Sequence, residues 1–137
     1  MPTMGTIIVH VTIEKPWREV YAFAANPENM ALWASGLGRG LVREDDHWLA
    51  DGGPLGTIQV TFAPANDFGV IDHIVSMPSG LNVHNAFRIV PNGDGAEAIF
   101  MVTRLPDMSE EQFSQDAAHV LSDLTSLKRI LEDGEGA

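Results

Sequence analysis

The chain contains no cysteine, which excludes disulfides, thiolate nucleophiles and thiolate-held zinc or iron–sulfur centres. It is also poor in bases: 8 Lys and Arg stand against 19 Asp and Glu, giving a formal net charge of −11 over 137 residues. Apart from Lys128-Arg129 the bases are scattered singly, which argues against nucleic acid or anionic membrane as a partner. No apolar run approaches the roughly 20 residues of a membrane span. The first residues lack the basic and long apolar regions of a signal peptide. The expectation is a soluble cytoplasmic protein with no stable membrane insertion.

Other chemistries find no motif. The five histidines, His10, His47, His73, His84 and His119, show no ligand spacing such as HxH or HxxxH, so no metal site is predicted. No serine or threonine sits in a nucleophile motif. The stretch "GLGRG" follows a predicted helix rather than a strand, so its glycines make no phosphate loop. No cofactor is implied.

What the chain does have is 45% hydrophobic residues, enough for one domain to bury a core unaided. We expect a single domain over 1–137, with its core at about 5–132 and an acidic tail at 133–137. Residues 5–13 alternate as a strand. Pro16 then opens a helix carrying Trp17, Val20, Tyr21 and Ala24. Asn26-Pro27 caps and restarts a second short helix with Met30 and Trp33, ending at Gly36. Strands follow at 40–44, 47–50, 56–63, 69–77, 81–91 and 96–104. Turn residues separate them: Asp45-Asp46, Asp51-Gly52-Gly53-Pro54, residues 63–67, Pro78-Ser79-Gly80 and Asn92-Gly93-Asp94-Gly95. Connections this short require hairpins, and hence an antiparallel sheet. Ser109 and Gln112 form a capping-box pattern opening a long helix, about 109–132. Its apolar stripe is Phe113, Ala117, Val120, Leu121, Leu124, Leu127 and Leu131.

The segment "GVIDHIVS" sets Asp72 beside His73 and suggests an acid–base dyad. Strand geometry argues otherwise, because successive side chains point to opposite faces. With Pro78-Ser79-Gly80 as the loop, Met77 opposes Leu81, Val75 opposes Val83, His73 opposes Asn85 and Ile71 opposes Phe87. Apolar residues then match across one face, the condition that fixes register. On the other face Asp72 lies diagonal to His84 and Arg88. Opposing Pro91 to Ala96 points Ala98, Phe100, Val102 and Arg104 inward and sets Glu97 outward, diagonal to Arg88. The sequence thus predicts an outer ion-pair ladder of Asp72, His84, Arg88 and Glu97, and an inner polar island of His73 and Asn85.

The order β–α–α–β–β–β–β–β–β–α, with "EKPWREVYAFAANPENMALW" near its start, resembles the SRPBCC or START-like superfamily, which includes polyketide cyclase/dehydrase-type proteins. The likeness spans about residues 5–132. It implies an α+β helix-grip fold: a curved antiparallel sheet of about seven strands wrapped around a long C-terminal helix, with two short helices after strand 1. It also implies an apolar cavity between sheet and helix. Trp33, Phe62, Met77, Phe87, Phe100 and Phe113 are the expected lining, or else plain core. Arg104 at the end of the last strand either receives an anionic ligand group at the mouth or pairs with Asp107.

Two readings of His73 and Asn85 stay open. They satisfy each other as a buried pair, or they orient a polar group of a ligand. The leading functional reading is therefore binding of a small apolar or amphipathic molecule. A cyclase/dehydratase-like enzyme using His73 as general acid or base is the alternative. A third is an interaction module with a collapsed cavity, acting through its surface or as a homodimer.

Overall fold

The computed structural model describes residues 3–35, 40–51, 53 and 56–134. The expected helix stop at Gly36, most of "GLGRG", Gly52 and Pro54 of one turn, and the end of the acidic tail lie outside them. Seven strands form one antiparallel sheet: β1 (Thr6–Ile13), β2 (Val42–Glu44), β3 (His47–Asp51), β4 (Thr57–Phe62), β5 (His73–Ser76), β6 (Asn82–Asn92) and β7 (Gly95–Thr103), ordered β1-β7-β6-β5-β4-β3-β2. Helix α1 (Trp17–Ala24), a 3₁₀ turn at Pro27–Asn29 and helix α2 (Met30–Trp33) connect β1 to the opposite edge of the sheet. Helix α3 (Glu110–Asp133) packs along β1 and β7 and meets α2. This is the helix-grip α+β architecture. No described helix is long and apolar enough to cross a membrane.

Local chemistry places each helix. Pro16 stands just outside α1 as its N-cap, one position earlier than the first turn the sequence suggested, and its carbonyl accepts from Val20 N at 3.1 Å. The Asn26 side chain accepts from Glu28 N at 3.0 Å, with Pro27 at the first position of the turn. Ser109 and Gln112 close the predicted capping box, and α3 ends on Gly134 in the left-handed region. At its far end the Lys128 ammonium donates to Thr12 O and Glu132, while Glu132 accepts from Glu14 N, each at 2.7 Å. These contacts clasp the end of α3 to the end of β1.

The core joins Val9 and Ile13 of β1, Val20 and Ala24 of α1, Met30 and Trp33 of α2, Phe87 and Ile89 of β6, and Leu124, Leu127 and Ile130 of α3. Each fully buried Leu, Ile or Phe contributes about 1.5–3 kcal/mol. The buried stripe of α3 differs from the predicted one. Ile130 is buried, whereas Leu121 is 46% exposed, because α3 faces the sheet along Leu124, Leu127 and Ile130 and turns Leu121 to the side.

Both predicted registers are observed: His73↔Asn85, Val75↔Val83 and the bridge Val70↔Arg88 on one side of β6, and Pro91↔Ala96 and Phe87↔Phe100 on the other. β5 is shorter than predicted, for a local reason. Ile71 N donates to Phe87 O at 2.8 Å, and a regular ladder would return a bond from Phe87 N to Ile71 O. Instead Phe87 N donates to Asp72 Oδ1 at 3.0 Å, and Ile71 O takes the His73 ring at 2.9 Å. The two side chains of "DH" have divided one ladder bond between them. Regular pairing starts only at His73. Upstream, Gly69 has φ +73°, and an added Cβ would sit 1.9 Å from Ile89 O, a position only glycine fits.

The outer ladder is half as predicted. Arg88 holds Asp72 with both prongs, at 3.1 and 2.8 Å, and this pairing holds the Asp72 carboxyl below the usual carboxylate range. Glu97 does not join it. It accepts instead from His10 and Thr12, each at 2.7 Å, and from Asn92 at 3.0 Å, because β1, whose Thr12 opposes it, lies on the far side of β7.

Candidate functional site

Along the inner face of the sheet, alternation carries Ile58, Val60 and Phe62 of β4 to the same side as Val75 and His73 of β5, Phe87 of β6 and Phe100 of β7. Met30, Trp33 and Ala34 from the α2 segment, and Val120, Asp123 and Leu124 from α3, close over them. Together they line an apolar cavity of about 260 Å³ that is partly open to solvent. Its wall contains a continuous chain of rings. Trp33 lies 5.7 Å from Phe87, Phe87 5.6 Å from Phe100, Phe100 6.1 Å from His73, and His73 5.5 Å from Phe62, all tilted. Such spacings suit aromatic pairs and present flat surfaces to an occupant.

The polar groups of this wall are few. A carbonyl oxygen only accepts, so the contact with Ile71 O assigns the His73 proton to Nδ1. Nε2 is then the acceptor, and it takes the Asn85 amide at 3.3 Å. Both ring nitrogens are engaged by protein. Desolvation holds the His73 pKa below the usual histidine value, so the ring is neutral at pH 7. Asp123, half-buried on α3, accepts from Ser35 N at 3.1 Å and thereby ties the chain after α2 to α3. Trp33 is 9% exposed, and its indole Nε1 has no hydrogen-bond partner; it is the one buried side-chain nitrogen or oxygen among the described residues in that state.

Of the residues singled out from sequence, Trp33, Phe62, His73, Phe87 and Phe100 line this cavity. Asn85 stands behind His73 and reaches the wall only through it. Met77 closes the β5–β6 turn, its N–H donating to Leu81 O at 2.9 Å. Phe113 packs against the core near Gly5, at the opening turn of α3. Arg104 is also elsewhere: it donates to Met108 O at 3.0 Å and lies 3.8 Å from Glu110, the partner found in place of Asp107. Met77, Asn85, Arg104 and Phe113 are thus not brought to the cavity.

Sequence reading missed Met30, Ala34, Ile58, Val60, Val75, Val120, Asp123 and Leu124 as lining. The β4–β5 register, Val60↔Val75 and Phe62↔His73, would have found Ile58, Val60 and Val75. It was hidden by the irregular loop 63–72, which Asn66 organises by accepting from Phe68 N and Val70 N and donating to Pro64 O and Val70 O. Among the described residues no group of three His, Asp or Glu stands where it could hold a metal ion.

No family model and no curated protein matches this chain. Solved structures do. DynU16, a protein in the dynemicin biosynthetic locus, superposes with a TM-score of 0.72 at 17% identity, over 94% of this chain and 48% of its own. This chain therefore spans about half the length of DynU16. CV1439 from Chromobacterium violaceum gives 0.69 at 16% identity, over 96% and 99%, and MLL2253 from Mesorhizobium loti gives 0.71 at 11%, over 94% and 98%. At these identities the likeness is one of fold.

Proposed function

We propose that this chain is an SRPBCC or START-like domain that binds a small apolar or amphipathic molecule in the cavity between the sheet and helices α2 and α3. The observation that carries the proposal is the cavity itself: about 260 Å³, walled by five linked rings and aliphatic side chains. The cavity is partly open, which gives a molecule from solution a way in. It also matches the apolar character of small-molecule sites. The biosynthetic locus of DynU16 supports an organic small molecule as occupant.

Binding is favoured over proton transfer by the state of His73. Its ring is oriented by the Ile71 carbonyl rather than by a carboxylate, and Nε2 would have to exchange Asn85 for a substrate before acting as a base. The size of the cavity argues against the collapsed-cavity reading. Native mass spectrometry of freshly purified protein tests the proposal: a population heavier by one organic molecule is expected, and it should be released on denaturation. Bare protein that takes up no apolar probe would contradict it.

A further inference from the structure

We infer that Asp123 selects the occupant of this cavity, and that the occupant is an amine whose ammonium group donates to Asp123 Oδ2 while its apolar body fills the ring-lined interior. The inference rests on the binding proposal above and adds the ligand's chemistry. Val120, Asp123 and Leu124 stand at the three- and four-residue spacing that shares one helix face, and all three line the cavity. From the other side Ser35 N, next in the chain to the lining residue Ala34, donates to Asp123 Oδ1 at 3.1 Å. The carboxylate is thereby fixed at the rim where the α2 segment meets α3. Its second oxygen, Oδ2, has no protein partner and, unlike Trp33 Nε1, keeps accessible surface. No cationic side chain is present in the described lining. Arg104, the residue that could have received an anion, is held elsewhere by Met108 O and Glu110. A carboxylate beside apolar surface is poorly screened, which strengthens both its attraction for a cation and its repulsion of an anion. The net charge of −11 acts in the same direction over a longer range. An ammonium suits the free oxygen better than a hydroxyl does, because a bond with charge on both partners is the stronger one.

The test uses three probes on one bicyclic body: 2-aminotetralin, a cation at pH 7; tetralin, which is neutral; and tetralin-2-carboxylic acid, an anion. A cavity of about 150 Å³ holds benzene, so about 260 Å³ has room for this body. Each probe is titrated into the wild-type chain and into Asp123→Asn, which keeps an oxygen for Ser35 N and removes the charge. The wild type is expected to bind the amine more tightly than the acid. Asp123→Asn should cut that amine-to-acid ratio by about ten-fold, the worth of a charged hydrogen bond discounted for its partial exposure, and leave tetralin unchanged. Asp116→Asn, at an exposed position of α3 outside the cavity, should keep the wild-type ratio. A ratio that survives Asp123→Asn, that falls equally in Asp116→Asn, or that favours the acid in wild type overturns the inference; the binding proposal then stands on tetralin. Should none of the three bind, the binding proposal falls and takes the inference with it. If Asp123→Asn does not fold, the ¹³C carboxyl resonance of Asp123 in wild type decides: the amine should move it and tetralin should not, and an amine that binds without moving it overturns the inference.

Discussion

Replacing His73 by glutamine should flatten the pH dependence of stability between pH 7.5 and 5.5. Burial favours the neutral ring, so the folded His73 pKa lies below its ordinary value of 6.5. Below about pH 6.5 the unfolded chain takes up a proton that the folded chain resists, so stability falls as pH falls and levels off only once the folded ring is protonated. For one such group the loss between pH 7.5 and 5.5 reaches at most about 1.4 kcal/mol. The depressed carboxyls of Asp72, Glu97 and Glu132 start from ordinary values of 3.8 and 4.5. Their contribution is present above those values and is lost at lower pH, outside this window. Glutamine does not titrate and can still donate to Ile71 O, so His73→Gln should lower stability at pH 7.5 yet lose less on acidification. Urea unfolding of both proteins at the two pH values measures the difference. An identical pH dependence in the two would refute the burial and neutrality of His73, and with them the case for His73 as a wall residue.

Three further perturbations follow from the geometry. Asp72→Ala should cost about 2 kcal/mol, because it strands the buried Phe87 N–H as well as Arg88, whereas Arg88→Ala, at a half-exposed partner, should cost under about 1 kcal/mol; equal losses by urea unfolding would contradict the divided ladder bond. Gly69→Ala combines a positive φ with a clash against Ile89 O and should cost at least about 3 kcal/mol; a melting temperature within a degree of wild type would show that the loop relaxes freely. Ser109→Ala removes the cap of α3 and should cost about 1 kcal/mol, with amide exchange speeding up in the first turn of α3 before its middle.

Much of the fold was legible because short turns leave little freedom. Once Pro78-Ser79-Gly80 and Asn92-Gly93-Asp94-Gly95 are read as turns, only one register on each side of β6 keeps Val75, Val83, Phe87 and Phe100 on a common face, and those registers are the ones found. The separation of Asp72 from His73 followed from the same alternation. Their exchange of backbone partners did not, since it depends on two side chains outcompeting a ladder bond. Glu97 was misassigned because its neighbour across β7 is β1, nearly ninety residues away in sequence. The site was half legible. Aromatic residues announce themselves, but which of them face the cavity depends on how α2 and α3 cross the sheet. Phe113 and Arg104 were drawn in by residue type and belong to the opening of α3.

Binding in the cavity is tested by titrating ¹⁵N-labelled chain with tetralin and following amide shifts, in the wild type and in Val120→Trp, where a larger side chain on α3 fills the cavity. Saturable shifts clustered at Val60, Phe62, Val75, Phe100 and Leu124, and absent from a folded Val120→Trp, are predicted. Shifts that never saturate, that fall on the outer face around Arg88, or that persist in the filled variant would contradict it.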